Sequence, residues 1–186
     1  VMTKGLREYE VDDDEQRTVK ITLIRTQRAY MTANGKMTYE ELDQYTGQHS
    51  FGKMTYEMCL YPHQGNFEAA HVWNTTYAAK VPLKAIQGVS VEGELPDTAS
   101  FFTFNQEGNV MTSALKQAEN GDGLTLRVYN TTDETLPLTI QTILPVASVT
   151  RTQLNEHPIE ETNFDGKQWS LDIGAKKIET FVLKLK

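Results

Sequence analysis

Apolar and polar residues alternate with a period of two along much of the chain, the pattern of half-buried β-strands. In TVKITLIRT, Val19, Ile21 and Leu23 share one face while Lys20, Thr22 and Ile24 share the other. GLTLRVYN sets Leu124, Leu126 and Val128 against Thr125, Arg127 and Tyr129, and LPLTIQT lines up Leu136, Leu138 and Ile140. The closing IETFVLKLK does the same with Phe181, Leu183 and Leu185. Further strand candidates are TYEMCLYP, AIQGVSV, SFFTF, NVMTSALKQAE, VASVTRTQ and WSLDI. Turn chemistry separates these runs at Ala33-Asn34-Gly35, Asn120-Gly121-Asp122-Gly123, Asn163-Phe164-Asp165-Gly166 and Asp172-Ile173-Gly174. AENGDGL is the clearest of them and predicts a hairpin between NVMTSALKQ and LTLRVYN. Many short strands with close-set turns predict an all-β, mainly antiparallel fold, a sandwich or barrel.

One stretch breaks the period. From Asn66 onward Phe67, Ala70, Trp73 and Tyr77 recur at three- and four-residue steps. Asn66 suits an N-cap, Glu68 suits the first turn of a helix dipole, and Pro82 follows as a stop. The spacing predicts one short amphipathic helix over about residues 66–79, entered from a strand end and turn at YPHQG. Residues 31–53 are polar and lack alternation, so they are expected to form a long loop excursion, a kind of segment that is usually functional, interface-forming or mobile. No internal repeat or low-complexity segment is visible, and the 186 residues suffice for a single domain, 1–186, with a proper core.

Composition narrows the partners. Hydrophobic residues make up 39% and charged residues 23%, ordinary values for a folded protein. A formal net charge of −7 and the run Asp12-Asp13-Asp14-Glu15 argue against nucleic acid and anionic membrane as partners. No apolar stretch approaches the roughly 20 residues that span a bilayer, and no secretion signal is visible. The single cysteine, Cys59, excludes an intrachain disulfide; it lies in the apolar run YEMCLY and reads as a small core residue rather than a nucleophile. These features fit a reducing compartment, and a cytoplasmic location is expected. The sequons Asn74-Thr75-Thr76 and Asn130-Thr131-Thr132 are discounted accordingly.

Candidate chemistry is thin. His63 and His71 stand eight residues apart across a turn, too far for the tight pairs of zinc sites, and His49 and His157 are distant in sequence. The run Asp12 to Glu15 lacks the spaced ligands and central glycine of a calcium loop and reads as a solvated turn. Glu119 and Asp122 are explained by the hairpin turn they flank. There is no phosphate cradle after a strand and no nucleophile elbow. Trp73, Tyr77 and Trp169 could build a sugar-stacking platform, with core or interface packing as the alternative. No catalytic, cofactor-binding or metal-binding residue is assigned.

Several segments, in order, resemble the C-terminal β-domain of glycoside hydrolase family 38 α-mannosidases, especially the bacterial branch. GLREYEV and TVKITLIRTQRAYMT are similar to that family's opening of its C-terminal part. TYEMCLYPHQGNFEAAHVWNTTYAAKVPLKAI resembles its Tyr-Pro-His-x-Gly turn, helix and Val-Pro-Leu exit. SALKQAENGDGLTLRVYNTT resembles its Leu-Lys-x-Ala-Glu-x-Gly-Asp-Gly hairpin, with Arg127 and Asn130 in the matching strand, and IETFVLKLK its last strand. The likeness spans nearly the whole chain; residues 31–47 lack the family's acidic and proline-rich signals.

The resemblance implies a β-sandwich of the galactose-mutarotase-like, glycosyl hydrolase C-terminal type. It implies a parent enzyme that hydrolyses α-mannosidic bonds with retention, using an aspartate nucleophile and a divalent metal, usually zinc, in a catalytic portion that this sequence does not match. The chain is thus expected to be a non-catalytic fragment without a cofactor of its own and inactive alone. Its expected partner is the catalytic domain of the same polypeptide, with a carbohydrate substrate in the parent, and a homo-oligomer is open. The residue 31–53 excursion and the Tyr61 to Gly65 turn are the expected contacts. The alternative is an independent carbohydrate-binding β-sandwich module, for which exposed tryptophans would be needed. An adhesive immunoglobulin-like domain is disfavoured by the helix, the lone cysteine and the missing export signal.

Overall fold

The computed structural model describes residues 1–26, 38–67, 71–89, 92–93 and 96–186. The chain folds as two compact units, Val1–Pro62 and His63–Lys186.

The first unit is built from short ribbons. Strand β1 (Met2–Thr3) pairs antiparallel with β4 (Met58–Cys59), and β2 (Tyr9–Val11) with β3 (Val19–Ile21). Between β3 and β4 lie a four-residue helix, α1 (Tyr39–Leu42), and a 3-10 turn at Thr46–His49. The acidic run forms the β2–β3 connection, as expected of a solvated turn. Lys20 Nζ reaches Asp12 at 2.8 Å, and Arg17 pairs with Asp13. Among the described residues of this unit only Met2 is buried.

Two expectations fail here. TVKITLIRT supplies a strand of only three residues, because its partner β2 is itself only three residues long; Leu23 and Ile24 are exposed. Cys59, expected in a core, is exposed, because β4 pairs with a two-residue strand and no layer of the described residues covers it. Part of the expected 31–53 excursion, residues 31–37, and the Ala33-Asn34-Gly35 turn lie outside the described residues.

The second unit carries the sandwich. Its helix α2 (Val72–Lys80) precedes β5 (Phe102–Phe104), β6 (Val110–Gln117), β7 (Leu124–Asn130), β8 (Leu136–Thr142), β9 (Val146–Thr152), β10 (Pro158–Glu161), β11 (Gln168–Ile173) and β12 (Ile178–Leu185). One sheet has the order β10-β9-β12-β7-β6 and the other β11-β8-β5, every pairing antiparallel. Alternation decides which side chains face inward. Leu126, Val128, Phe181, Leu183 and Val149 of the large sheet meet Leu138, Ile140, Trp169 and Ile173 of the small one in a single buried cluster. Trp169 and Phe181 bridge the sheets edge to face, ring centroids 5.5 Å apart. Burying such side chains supplies most of the stabilisation, about 25 cal/mol per Å² of apolar surface removed from water.

The all-β, antiparallel sandwich expected from the alternation is present. The helix differs. It starts at Val72 rather than near residue 66, because His71 takes a left-handed backbone (φ 47°) through which a right-handed helix cannot propagate. Asn66 therefore does not cap it, and the expected Glu68 and Ala70 positions lie outside the described residues. No residue of α2 is buried and Val72, Thr75 and Thr76 are half-buried, so the expected amphipathic face is only partly covered by the described residues. AIQGVSV forms no strand over its described residues, 85–89. The edge strand β10, which contains Pro158 and two glutamates, has no alternation to reveal it.

Candidate functional site

The segment from His63 to Trp73 gathers histidine and aromatic groups, but its described residues do not make a reactive set. His63 and His71 are exposed, and the His63 ring lies 3.5 Å from the Gln64 carbonyl oxygen. Phe67 and Trp73 meet edge to face at 6.4 Å, and Lys176 Nζ sits 5.8 Å from the centre of the Phe67 ring. Trp73 and Tyr77 remain about half exposed. Burial raises the Tyr129 phenol above its ordinary value, with nearby Tyr77 adding to the effect.

The densest polar constellation forms around the AENGDGL hairpin. Gly121 and Gly123 hold φ of 78° and 102°, so the β6–β7 turn needs residues without a Cβ. A Cβ at Gly123 would also collide with the Leu183 carbonyl oxygen on β12. The turn closes with Ala118 N donating to Gly123 O at 3.1 Å and Gly121 N to Ala118 O at 2.8 Å. Lys116, on the last turn-ward part of β6, pairs with Glu119 and lies 2.7 Å from Glu156 Oε1. Glu156 belongs to the β9–β10 loop and is in the left-handed region (φ 66°); its Oε2 accepts from Glu119 N at 2.7 Å. Arg127 holds the same loop, donating from Nη2 to Leu154 O at 2.7 Å and from Nε to Thr180 Oγ1 at 3.2 Å.

An open groove of about 480 Å³ runs beside this clamp, with Glu119, Asp122, Glu156, Glu161, His157 and Lys184 among its walls. The Glu119 amide and the Lys116 ammonium hold the Glu156 carboxyl below the usual carboxylate range. Glu119 and then Glu156 raise Lys116 above its ordinary value. A general acid needs a carboxyl pushed up and kept protonated. Glu156 is held in the opposite state, so the constellation acts as an ion-pair clamp on a loop. No local signal could have joined Glu156 to this hairpin from sequence, since it lies 37 residues from Glu119.

Two other polar clusters serve the fold. Arg151 makes a double contact with Glu179 (2.7 and 2.8 Å) and reaches Glu160 at 3.0 Å, which raises the guanidinium further above its ordinary value. Asn130, buried in the second sequon, donates to the carbonyls of Glu134, Ile173 and Gly174 at 2.7, 3.3 and 3.0 Å. Among the described residues, no three histidine, cysteine, aspartate or glutamate side chains are grouped to hold a metal ion. Of the two tryptophans considered for a sugar platform, Trp169 is only 1% exposed and belongs to the core, whereas Trp73 is 47% exposed.

Residues 109–181 match the family model described as the glycosyl hydrolases family 38 C-terminal beta sandwich domain. This span covers less than half of the chain and runs from just before β6 into β12, including the hairpin, the clamp and both halves of the core. The resemblance drawn from the sequence motifs is thus borne out over that stretch, which is similar to the family 38 C-terminal β-sandwich. Searches against curated proteins and solved structures gave no match.

Proposed function

We propose that this chain is the non-catalytic C-terminal portion of an α-mannosidase-like glycoside hydrolase, packing on and supporting the catalytic portion of the same polypeptide. The match of residues 109–181 to a family 38 C-terminal β-sandwich carries the reading. The exposed apolar side chains add support: Phe51, Leu60, Leu83, Ile86 and Val89 stand in solvent outside the sandwich strands. Val81, Leu83, Ile86 and Val89 are all exposed along one short segment, which supports a contact with another part of the polypeptide there. The divalent metal of the parent, zinc in this reading, belongs to the catalytic portion, and the parent works in the cytoplasm.

A purified preparation of this chain is expected to release no 4-nitrophenol from 4-nitrophenyl α-mannoside, with or without added zinc. Turnover that copurifies with the chain and disappears with a chelator would sink the reading. Sequencing the coding region upstream of Val1 is expected to show a catalytic portion, and co-expression of that portion should retain the chain on affinity purification. An independent start codon with no such region would remove the proposed partner.

A further inference from the structure

Asn120 stands at the tip of the β6–β7 hairpin, and it and Gly121 are both exposed. Of the asparagines among the described residues, it alone is followed by glycine. The amide carbon of an asparagine side chain is an electrophile one five-membered ring closure away from the next main-chain nitrogen. A side chain on the following residue hinders that closure, and Gly121 has none. The fold also presets the carbonyl, since Asp122 N donates to Asn120 Oδ1 at 3.0 Å. This bond draws electrons away from Cγ and folds the side chain across the intervening Gly121 amide.

The same turn restrains the reaction. Gly121 N, the atom that must attack, donates to Ala118 O at 2.8 Å, and Ala118 N donates to Gly123 O at 3.1 Å. Attack requires the first of these bonds to break, so the hairpin tip has to open. The clamp opposes that opening from the residue next to the reacting pair. Glu119 N donates to Glu156 Oε2 at 2.7 Å, and the Glu119 carboxylate pairs with Lys116. Lys116 also lies 2.7 Å from Glu156 Oε1, and the Glu156 side chain is only 8% exposed. Charge-assisted bonds to a carboxylate so shielded are the strong ones of this hairpin. Lys184 reaches Asp122 at 3.5 Å on the other side, but both side chains are in solvent and that pair adds little.

We propose that Asn120 is a site of spontaneous deamidation, and that the Lys116–Glu119–Glu156 clamp sets its rate by holding the hairpin tip closed. Hydroxide removes the proton of Gly121 N, and the nitrogen bonds to Asn120 Cγ. The Cγ–Nδ2 bond breaks, and the departing nitrogen takes a proton from water and leaves as ammonia, which returns the hydroxide. The succinimide then adds one water. Opening at the new N–Cγ bond gives aspartate, and opening at the original peptide bond gives isoaspartate; no redox change occurs. Either product adds a negative charge between Glu119 and Asp122. Isoaspartate also lengthens the main chain by a methylene in a turn where Gly123 is already pressed against the Leu183 carbonyl. The modified hairpin loses its fit to Glu156 and releases the β9–β10 loop.

The whole chain is held in mildly alkaline buffer, folded or unfolded in guanidinium chloride, and digested with trypsin at intervals. The peptide of residues 117–127 should gain the mass difference between a carboxyl and an amide, its aspartate and isoaspartate forms eluting separately. The folded chain should react at least about tenfold more slowly than the unfolded one. Glu156→Ala should speed the folded chain about fivefold, and Glu156→Gln, which keeps an oxygen for the Glu119 amide, by less. Asn130→Ala, which loosens the far end of β7, should leave the rate unchanged, and Asn120→Gln should abolish the gain. Asn34→Gln silences the other Asn-Gly pair of the chain. In that background the deamidated form, separated by anion exchange, should exchange amide hydrogens in residues 153–157 faster than the unmodified form. No gain in the folded chain over about a hundred times the period the unfolded chain needs overturns the proposal. Equal rates in the folded and unfolded chain, or in Glu156→Ala and its parent, overturn the control by the clamp. Unchanged exchange in residues 153–157 overturns the release of the loop. None of these outcomes bears on the mannosidase assay, so the two readings fail separately.

Discussion

Asn130 shows how one side chain can hold two sheets. Its Nδ2 reaches backbone carbonyls of the β7–β8 connection and of the end of β11, while its Oδ1 accepts from Thr132 N and Thr132 Oγ1, both at 2.8 Å. Every polar atom of the amide is therefore used, and the residue is 1% exposed. Truncation removes the donor to the buried Ile173 carbonyl and to the part-buried groups around it, and each buried group left unpaired costs about 1–3 kcal/mol. Asn130→Ala should lower stability by about 2–4 kcal/mol, read as a drop in the urea midpoint at unchanged m-value. The same geometry forbids glycan attachment at this sequon, since the amide nitrogen faces inward. At Glu156 the consequence is a pH dependence. Its folded pKa lies below the ordinary value, so the clamp contributes stability above the unfolded pKa, near 4.3, and loses it as pH falls through the folded value. Lys116 is raised, so its contribution is complete below its unfolded pKa and is lost as pH climbs above that value. Glu156→Gln should flatten the acid limb of a stability–pH curve between about pH 5 and 3 and leave the plateau near pH 7 lower. An acid limb identical to that of the parent chain would show that the clamp contributes nothing.

Among elements, those whose instructions are local were the legible ones. The β6–β7 hairpin could be read because left-handed positions call for glycine, and Gly121 and Gly123 occupy them. Strands β7, β8 and β12 could be read because their apolar side chains gather on the core face, so alternation survives in the sequence although Thr125 and Thr180 are buried on the other face. Gly123→Ala should combine a strained φ of 102° with a collision against the Leu183 carbonyl, costing about 1–3 kcal/mol or more, whereas alanine at Asp122 should cost far less. What stayed hidden depends on partners distant in sequence. YEMCLY is apolar enough for a core, yet Cys59 is exposed because, among the described residues, only the two-residue β1 pairs with its strand. The helix pattern from Phe67 to Tyr77 reads as continuous, but the left-handed turn at His71 interrupts it. The clamp at Glu156 and the side-chain bonds of Gln141 with Gln168 and of Thr139 with Ser170 exist only once register is set. The two tryptophans offer a direct check. In Trp73→Phe the remaining emission should be blue-shifted and poorly quenched by acrylamide, as a core indole requires; in Trp169→Phe it should be red-shifted and readily quenched.

Across the whole molecule, stability is distributed unevenly. The unit His63–Lys186 holds nearly all buried apolar residues among those described, and its central strands β7 and β12 carry ladders on both sides. The unit Val1–Pro62 consists of two-stranded ribbons with backbone open to solvent, and isolated two-stranded ribbons are marginal in water. Local opening free energies should therefore range from near zero in β1–β4 up to the global value in β7 and β12. Native-state hydrogen exchange followed by mass spectrometry should show peptides of residues 124–130 and 178–185 exchanging last, and those of residues 9–21 within the first seconds. Adding the proposed catalytic portion supplies a second measurement. If it covers the apolar side chains from Val81 to Val89, exchange in that segment should slow on binding while that of β7 and β12 is already limited by global unfolding. Slowing confined to the sandwich strands, with residues 81–89 unchanged, would place the contact elsewhere and leave the exposed Leu83 and Ile86 without a partner.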